Sequence, residues 1–142
     1  MSAYDIYMGI SNSNNLENKI LIGLESNETK DAAQFVENSL GEFARLANKY
    51  NFTATLAVIP VAAQLVNDYP NQKYQAFLKR YAIQYSLDFV DLLPMLRKYY
   101  EQSGKIPVIP YDGHYDSEGH EVMGEGMVEY FREIGINCGS KN

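Results

Sequence analysis

Five side chains that can carry a proton or hold a cation crowd into one short stretch near the end of the chain. They are Asp112, His114, Asp116, Glu118 and His120, within Asp112-Gly113-His114-Tyr115-Asp116-Ser117-Glu118-Gly119-His120. Both histidines of the 142-residue chain fall here. Gly113 gives the backbone freedom to bring Asp112 and His114 onto one side of a tight turn. A carboxylate against one imidazole nitrogen fixes the tautomer and raises the basicity of the other nitrogen. That pair is the base and orienting group of a nucleophilic triad. Spacing alone leaves Asp116 and Asp91 open as the carboxylate that meets His114. It also leaves open a plain turn histidine satisfied by a neighbouring acid. A divalent metal held by the five groups is a further alternative, since carboxylates and imidazoles suit zinc or manganese, but a loop running into a helix points such groups apart. The expectation is therefore no metal and no cofactor. His120, three residues after Ser117, suits a helix start better than catalysis.

The elements that must position these groups follow from periodicity. Residues 27 to 50 place Ala33, Val36, Leu40, Phe43, Ala44 and Ala47 at helical spacing, with Ser26 or Asn27 as N-cap. Residues 53 to 59 (TATLAVI) are short, apolar and β-branched and stop at Pro60, which suits a parallel strand buried on both faces. Pro70 opens a second helix with Tyr74, Phe77, Leu78 and Tyr81 on one face. Leu87 to Val90 is a second strand. Asp91 to Gln102 forms a helix with Leu92, Met95, Leu96 and Tyr99 on one stripe, Pro94 in its first turn and Gly104 as a left-handed C-terminal cap. Ser117 caps a last helix reaching Ile134, whose apolar face is Val122, Met123, Met127, Tyr130, Phe131 and Ile134. Residues 1 to 19 read as loop, with a short strand at Asp5 to Met8. Strands alternating with helices imply a parallel sheet in a three-layer α/β/α sandwich, as one domain over residues 1 to 142. In such sheets ligands bind beyond the carboxyl ends of strands, which directs attention to Pro60–Asn67 and Ile109–Ser117.

The stretch DGHYDSEGHEVMGEGMVEYF resembles the last block of the SGNH (GDSL-like) hydrolases, where a loop of the type Asp-Gly-His-x-Asn-x-x-Gly-His precedes a final amphipathic helix. LAVIPVAAQLV is similar to the strand and Ile-Pro turn of the subgroup that includes polysaccharide O-acetylation enzymes, and LDFVDLLPMLRKYYEQSG resembles the strand and helix before the last block. The likeness covers roughly residues 35 to 132. It implies a flavodoxin-like sandwich, His114 as general base, Asp112 as its orienting carboxylate, and Gly119 with His120 as the start of the last helix. It implies a serine esterase or O-acyltransferase acting on small-molecule or carbohydrate esters. Tyr115 and Asp116 depart from the family's usual residues at their positions.

The departures bear on activity. The family's Gly-Asp-Ser nucleophile block and its oxyanion-hole Gly and Asn precede the matched region, and none is evident. Gly9-Ile10-Ser11 is the nearest approach, which makes Ser11 the candidate nucleophile, although it lacks the aspartate. Ala3-Tyr4-Asp5 is an alternative remnant of the Asn-Asp block. The chain thus reads as the carboxy-terminal part of such a domain, incomplete at its start and inactive alone. The competing reading is a non-catalytic binding or assembly module on the same fold, pairing with a second copy or with a missing amino-terminal half.

Composition narrows partners. A net charge of −6 with no Lys/Arg cluster argues against nucleic acid, because that affinity needs clustered cations. No run of about 18 apolar residues exists to span a bilayer, and the first residues lack the pattern of a signal peptide. Cys138 is the lone cysteine, so no internal disulfide forms; the compartment stays open. Asn27-Glu28-Thr29 and Asn51-Phe52-Thr53 meet the glycosylation pattern, as such triplets often do by chance. Twelve tyrosines suit either a ligand cleft or half-buried helix faces.

Overall fold

The computed structural model describes residues 27–66, 73–110 and 112–136. Ser11, Ala3 to Asp5, the strand expected at Asp5 to Met8, Ser26 and Cys138 lie outside the described residues. The elements in chain order are α1 (Asn27–Tyr50), β1 (Thr55–Val58), α2 (Ala63–Val66), α3 (Lys73–Gln84), β2 (Asp88–Asp91), α4 (Leu93–Ser103) and α5 (Ser117–Glu133). The fold is a mixed α/β one in which β1 and β2 run parallel as a two-stranded sheet. No described helix is long and apolar enough to cross a membrane.

The described residues group into two compact units, 27–58 with 73–89, and 59–66 with 90–110 and 112–136. In the first, Ala44, Ala47, Ala54, Ala82 and Leu87 form a buried cluster, with Leu40, Leu56, Tyr85 and Phe89 packed on it. Small side chains let α1 and α3 approach closely: a Cβ on Gly41 would lie 3.2 Å from the Tyr85 ring. Tyr81, 8% exposed, donates its hydroxyl hydrogen to Glu37 at 2.8 Å and accepts from Arg80 at 3.2 Å. Burial is thus affordable for this tyrosine because its polar end is satisfied.

Both helices of this unit end the same way. Asn51 (φ 55°) and Ser86 (φ 55°) are left-handed. Phe52 N bonds Ala47 O at 3.1 Å and Asn51 N bonds Asn48 O at 3.4 Å, while Leu87 N bonds Ala82 O at 2.8 Å and Ser86 N bonds Ile83 O at 3.2 Å. This is the paired-bond stop that usually recruits glycine. Asp88 N then donates to Ala54 O at 2.9 Å, which starts the parallel pairing.

Two expectations change. The strand expected to be buried on both faces exposes Ala57, and β1 has one hydrogen-bonded neighbour, β2, among the described residues. Phe43, placed on the buried face of α1 by its spacing, is 42% exposed and instead packs at 6.0 Å on Phe52. The chain turns back at Asn51, and this local aromatic pair forms where the helix ends rather than in the alanine cluster.

The second unit has a conventional aliphatic core of Leu65, Val90, Leu92, Leu93, Leu96 and Met123, with Val66, Ile106, Tyr115, Val122, Met127 and Tyr130 against it. The expected stripe of α4 is present, and Gly104 (φ 67°) caps it, its N–H bonding Tyr100 O at 2.8 Å. On α5 the expected face packs through Met123 and Met127, but Ile134 is 41% exposed; the helix has ended and turned at Gly135 (φ 80°). The short helix α2, absent from the sequence reading, forms where Gln64, 1% exposed, accepts from Val61 N at 3.1 Å. Arg97 then donates to Gln64 O at 2.8 Å. Tyr74, Tyr85, Tyr99, Tyr100, Tyr115 and Tyr130 are half-buried, so these tyrosines serve helix and loop packing.

Candidate active site

The loop carrying Asp112 and His114 is a narrow hairpin. Val108 and Tyr115 pair as an antiparallel bridge, and Ile109 N donates to His114 O at 2.8 Å. At the tip, Asp112 N at 3.2 Å and Gly113 N at 3.4 Å both reach Ile109 O. Pro110, the second residue of this turn, has the fixed φ that such a position favours. Gly113 has φ 83°, a backbone conformation that a side chain disfavours. The turn therefore needs a glycine at the position between the two candidate catalytic residues.

That geometry brings Asp112 Oδ1 onto His114 Nδ1 in a short hydrogen bond. The contact also selects among the acids that spacing left open. Asp116 Oδ1 accepts from Gly119 N at 2.9 Å, and Asp91 Oδ1 accepts from Leu93 N at 3.0 Å. Asp116 is thereby the N-cap of α5, Asp91 holds the first amide of α4, and Asp112 is the one on the imidazole. The Asp112 carboxylate holds the His114 pKa above its ordinary value, through the hydrogen bond first and its charge second. His114 is 83% and Asp112 49% exposed at the side chain. Water therefore screens the pair, and its orientation comes from the backbone turn rather than from enclosing walls. With Nδ1 engaged, Nε2 is the nitrogen that can take a proton from a nucleophile. Among the described residues no serine hydroxyl bonds His114.

The start of α5 differs from expectation by one residue. Ser117 is the first helical residue, and Asp116 is the N-cap, with extended φ −84° and ψ −172°. An extended cap residue whose carboxylate bonds the third amide of the helix satisfies a donor that has no partner within the helix. His120 lies in the first turn of α5, as expected of a helix start, and contributes its backbone N–H to Asp116 O at 3.0 Å; its ring is exposed. Glu118 is engaged by Tyr99, which donates its hydroxyl hydrogen to it, and by Lys105 at 3.8 Å. The Glu118 carboxylate pushes the Tyr99 pKa up. The five groups of the motif are thus spread over separate local tasks, and among the described residues no three His, Cys, Asp or Glu side chains gather to hold a metal ion.

Three features of the loop were not legible from residue type. Tyr115 donates its hydroxyl hydrogen to Pro60 O at 2.8 Å. Asp116 N donates to Pro107 O at 3.1 Å. Gly119, buried in the first turn of α5, leaves no room for a side chain: a Cβ there would stand 2.7 Å from both Pro107 O and Tyr115 Cδ1. A glycine in the first turn of a helix was the one available sequence signal, because glycine there costs stability unless close packing requires it.

Comparison with known protein families, with curated proteins and with solved structures finds no match for this chain.

Proposed function

We propose that Asp112 and His114 are the orienting acid and general base of an ester hydrolase or O-acyltransferase of the SGNH type, on a three-layer α/β/α sandwich. The observation that carries the reading is the bond from Asp112 to Nδ1, which leaves Nε2 to accept a hydroxyl proton. Further support comes from the parallel strand pair with two helices, α2 and α3, between its strands in the chain, and from the Asp-Gly-His turn leading into the capped helix α5. In this reading His114 takes the proton of a serine as that serine attacks an acyl carbonyl, and returns it to the departing alkoxide. The substrate class is an acyl ester on a small molecule or a carbohydrate. Ser11 is the candidate nucleophile within this chain. No step calls for a cofactor.

Fluorophosphonate labelling of the 142-residue chain, with p-nitrophenyl acetate turnover, tests this. Labelling and turnover that vanish in His114→Ala support the proposal, and loss in Ser11→Ala assigns the nucleophile. Absence of both signals removes the hydrolytic role for the chain alone.

A second reading, a non-catalytic binding module, is favoured by one observation. At 83% side-chain exposure, His114 lacks the water-excluded setting in which electrostatic catalysis is strongest. Phe35 at 74% and Ile83 at 70% exposure offer this reading apolar contact area. Dimerisation in light scattering without fluorophosphonate labelling is the result that selects it.

A further inference from the structure

The bonds that shape the His114 hairpin are nearly all local. The Val108–Tyr115 bridge, the Ile109–His114 bond and the turn at Ile109 O define a hairpin, but they leave its tip free to twist. Neither partner of the catalytic pair is buried enough to be held by packing. Two contacts tie this segment to distant sequence: the Tyr115 ring packs on the core around Leu65 and Leu96, and the Tyr115 hydroxyl bonds Pro60 O, 55 residues away in the chain. Pro60 is fully buried, so the acceptor is a fixed point. Tyr115 directly follows His114, and its ring is pressed from the other side by Gly119, at the distance where no Cβ fits. The residue is therefore gripped at its hydroxyl by one segment and along its ring by another.

We propose that Tyr115 is the positioning residue of the Asp112–His114 pair: its hydroxyl bond to the Pro60 carbonyl, with its ring seated on Gly119, fixes the backbone twist that keeps Asp112 on Nδ1. The tether's catalytic consequence rests on the reading of His114 as a base, but the tether itself is a matter of geometry. Tyr115→Phe keeps the ring and removes the hydroxyl that bonds Pro60 O. The hairpin then rotates about the Val108–Tyr115 bridge, Asp112 spends less time on Nδ1, and the imidazole samples both neutral tautomers. Asp112 raises the His114 pKa through its hydrogen bond and its charge, so a change in that contact is read at the imidazole.

The test is NMR titration of the His114 ring in the full chain, with ring nitrogen shifts to read the tautomer and amide exchange to read the Ile109 N–H. In Tyr115→Phe the expected results are a titration midpoint shifted down toward 6.5, a mixed tautomer above the midpoint, and faster Ile109 exchange. Gly119→Ala displaces the ring from the opposite side and is expected to produce the same three changes. A folded Tyr115→Phe chain with unchanged midpoint and tautomer overturns the proposal; if Gly119→Ala fails to fold, Tyr115→Phe alone decides. None of these readouts needs a nucleophile. A moved midpoint without fluorophosphonate labelling keeps the tether and removes the hydrolytic role for the chain alone. Labelling with an unmoved midpoint does the reverse.

Discussion

A Cβ on Gly119 would lie 2.7 Å from Cδ1 of Tyr115, so the first turn of α5 and the aromatic ring after His114 meet with nothing between them. The same residue would meet the Pro107 carbonyl oxygen at 2.7 Å, and a backbone atom cannot swing aside as a side-chain end can.

The glycines of α5 should accordingly separate by environment. Gly119→Ala is expected to destabilise by about 2 kcal/mol, the range of core overpacking. Gly126→Ala runs into the Met95 thioether, with Leu92 Cδ2 at 3.1 Å; the thioether can rotate away, so the net change is expected to stay within about 1 kcal/mol of zero. Gly124 has open space around it and Gly124→Ala should stabilise by about 1 kcal/mol, the helix-propensity difference. Urea unfolding of the three variants checks the order, and equal effects at Gly119 and Gly124 contradict it.

Ser86 is left-handed at φ 55° without being glycine. That conformation costs a non-glycine residue roughly 1 kcal/mol, and the two backbone bonds at the end of α3 hold it there. Ser86→Gly is expected to raise the melting temperature despite the extra freedom glycine brings to the unfolded chain. A lower melting temperature counts against strain at this turn.

Asp116→Ala removes the carboxylate that bonds Gly119 N. Loss of an N-cap costs about 1 kcal/mol, and amide exchange should accelerate at Gly119 first. Asp116→Asn retains an acceptor and should restore most of the difference.

Leu96 is fully buried and sits in the cluster with Leu93 and Met123. Leu96→Ala is expected to cost about 3 kcal/mol, because the lost transfer energy adds to an unfilled cavity. Calorimetric unfolding of the variant measures it; a cost below that of Asp116→Ala means the site collapses around the gap.

The raised pKa of His114 sets the sign of two pH effects. The protonated ring bound to Asp112 contributes stability that is fully present below the unfolded value near 6.5 and is lost as pH rises through the higher folded value. Asp112→Asn should flatten the stability profile just above pH 6.5. If His114 is the base, turnover depends on its neutral form, so the acid limb of the rate profile lies above pH 6.5 in the parent chain and moves to lower pH in Asp112→Asn. A limb that does not move excludes Asp112 as the orienting group.

The sequence by itself determined the elements whose signal is local. Apolar residues at helical spacing specify α1, α3, α4 and α5; the β-branched run before Pro60 and the short run Leu87 to Val90 specify two strands; Gly104 specifies a C-cap, and Asp112-Gly113-His114 specifies a turn bringing acid and imidazole together. Where the stop residue was not glycine, at Asn51 and Ser86, the left-handed ends were not read from the sequence; asparagine adopts that conformation at modest cost, and Ser86 is held there by the two backbone bonds at the end of α3. The choice of Asp112 over Asp116 and Asp91 was not legible in residue type and is made by local bonds of the folded chain. Asp116 accepts from Gly119 N and Asp91 accepts from Leu93 N, which leaves Asp112 on the imidazole. The seat of Tyr115 between Pro60 and Gly119 was likewise beyond the sequence, since a hydrogen bond to a backbone carbonyl 55 residues away depends on where the chain has been folded and leaves no mark in the spacing of side chains.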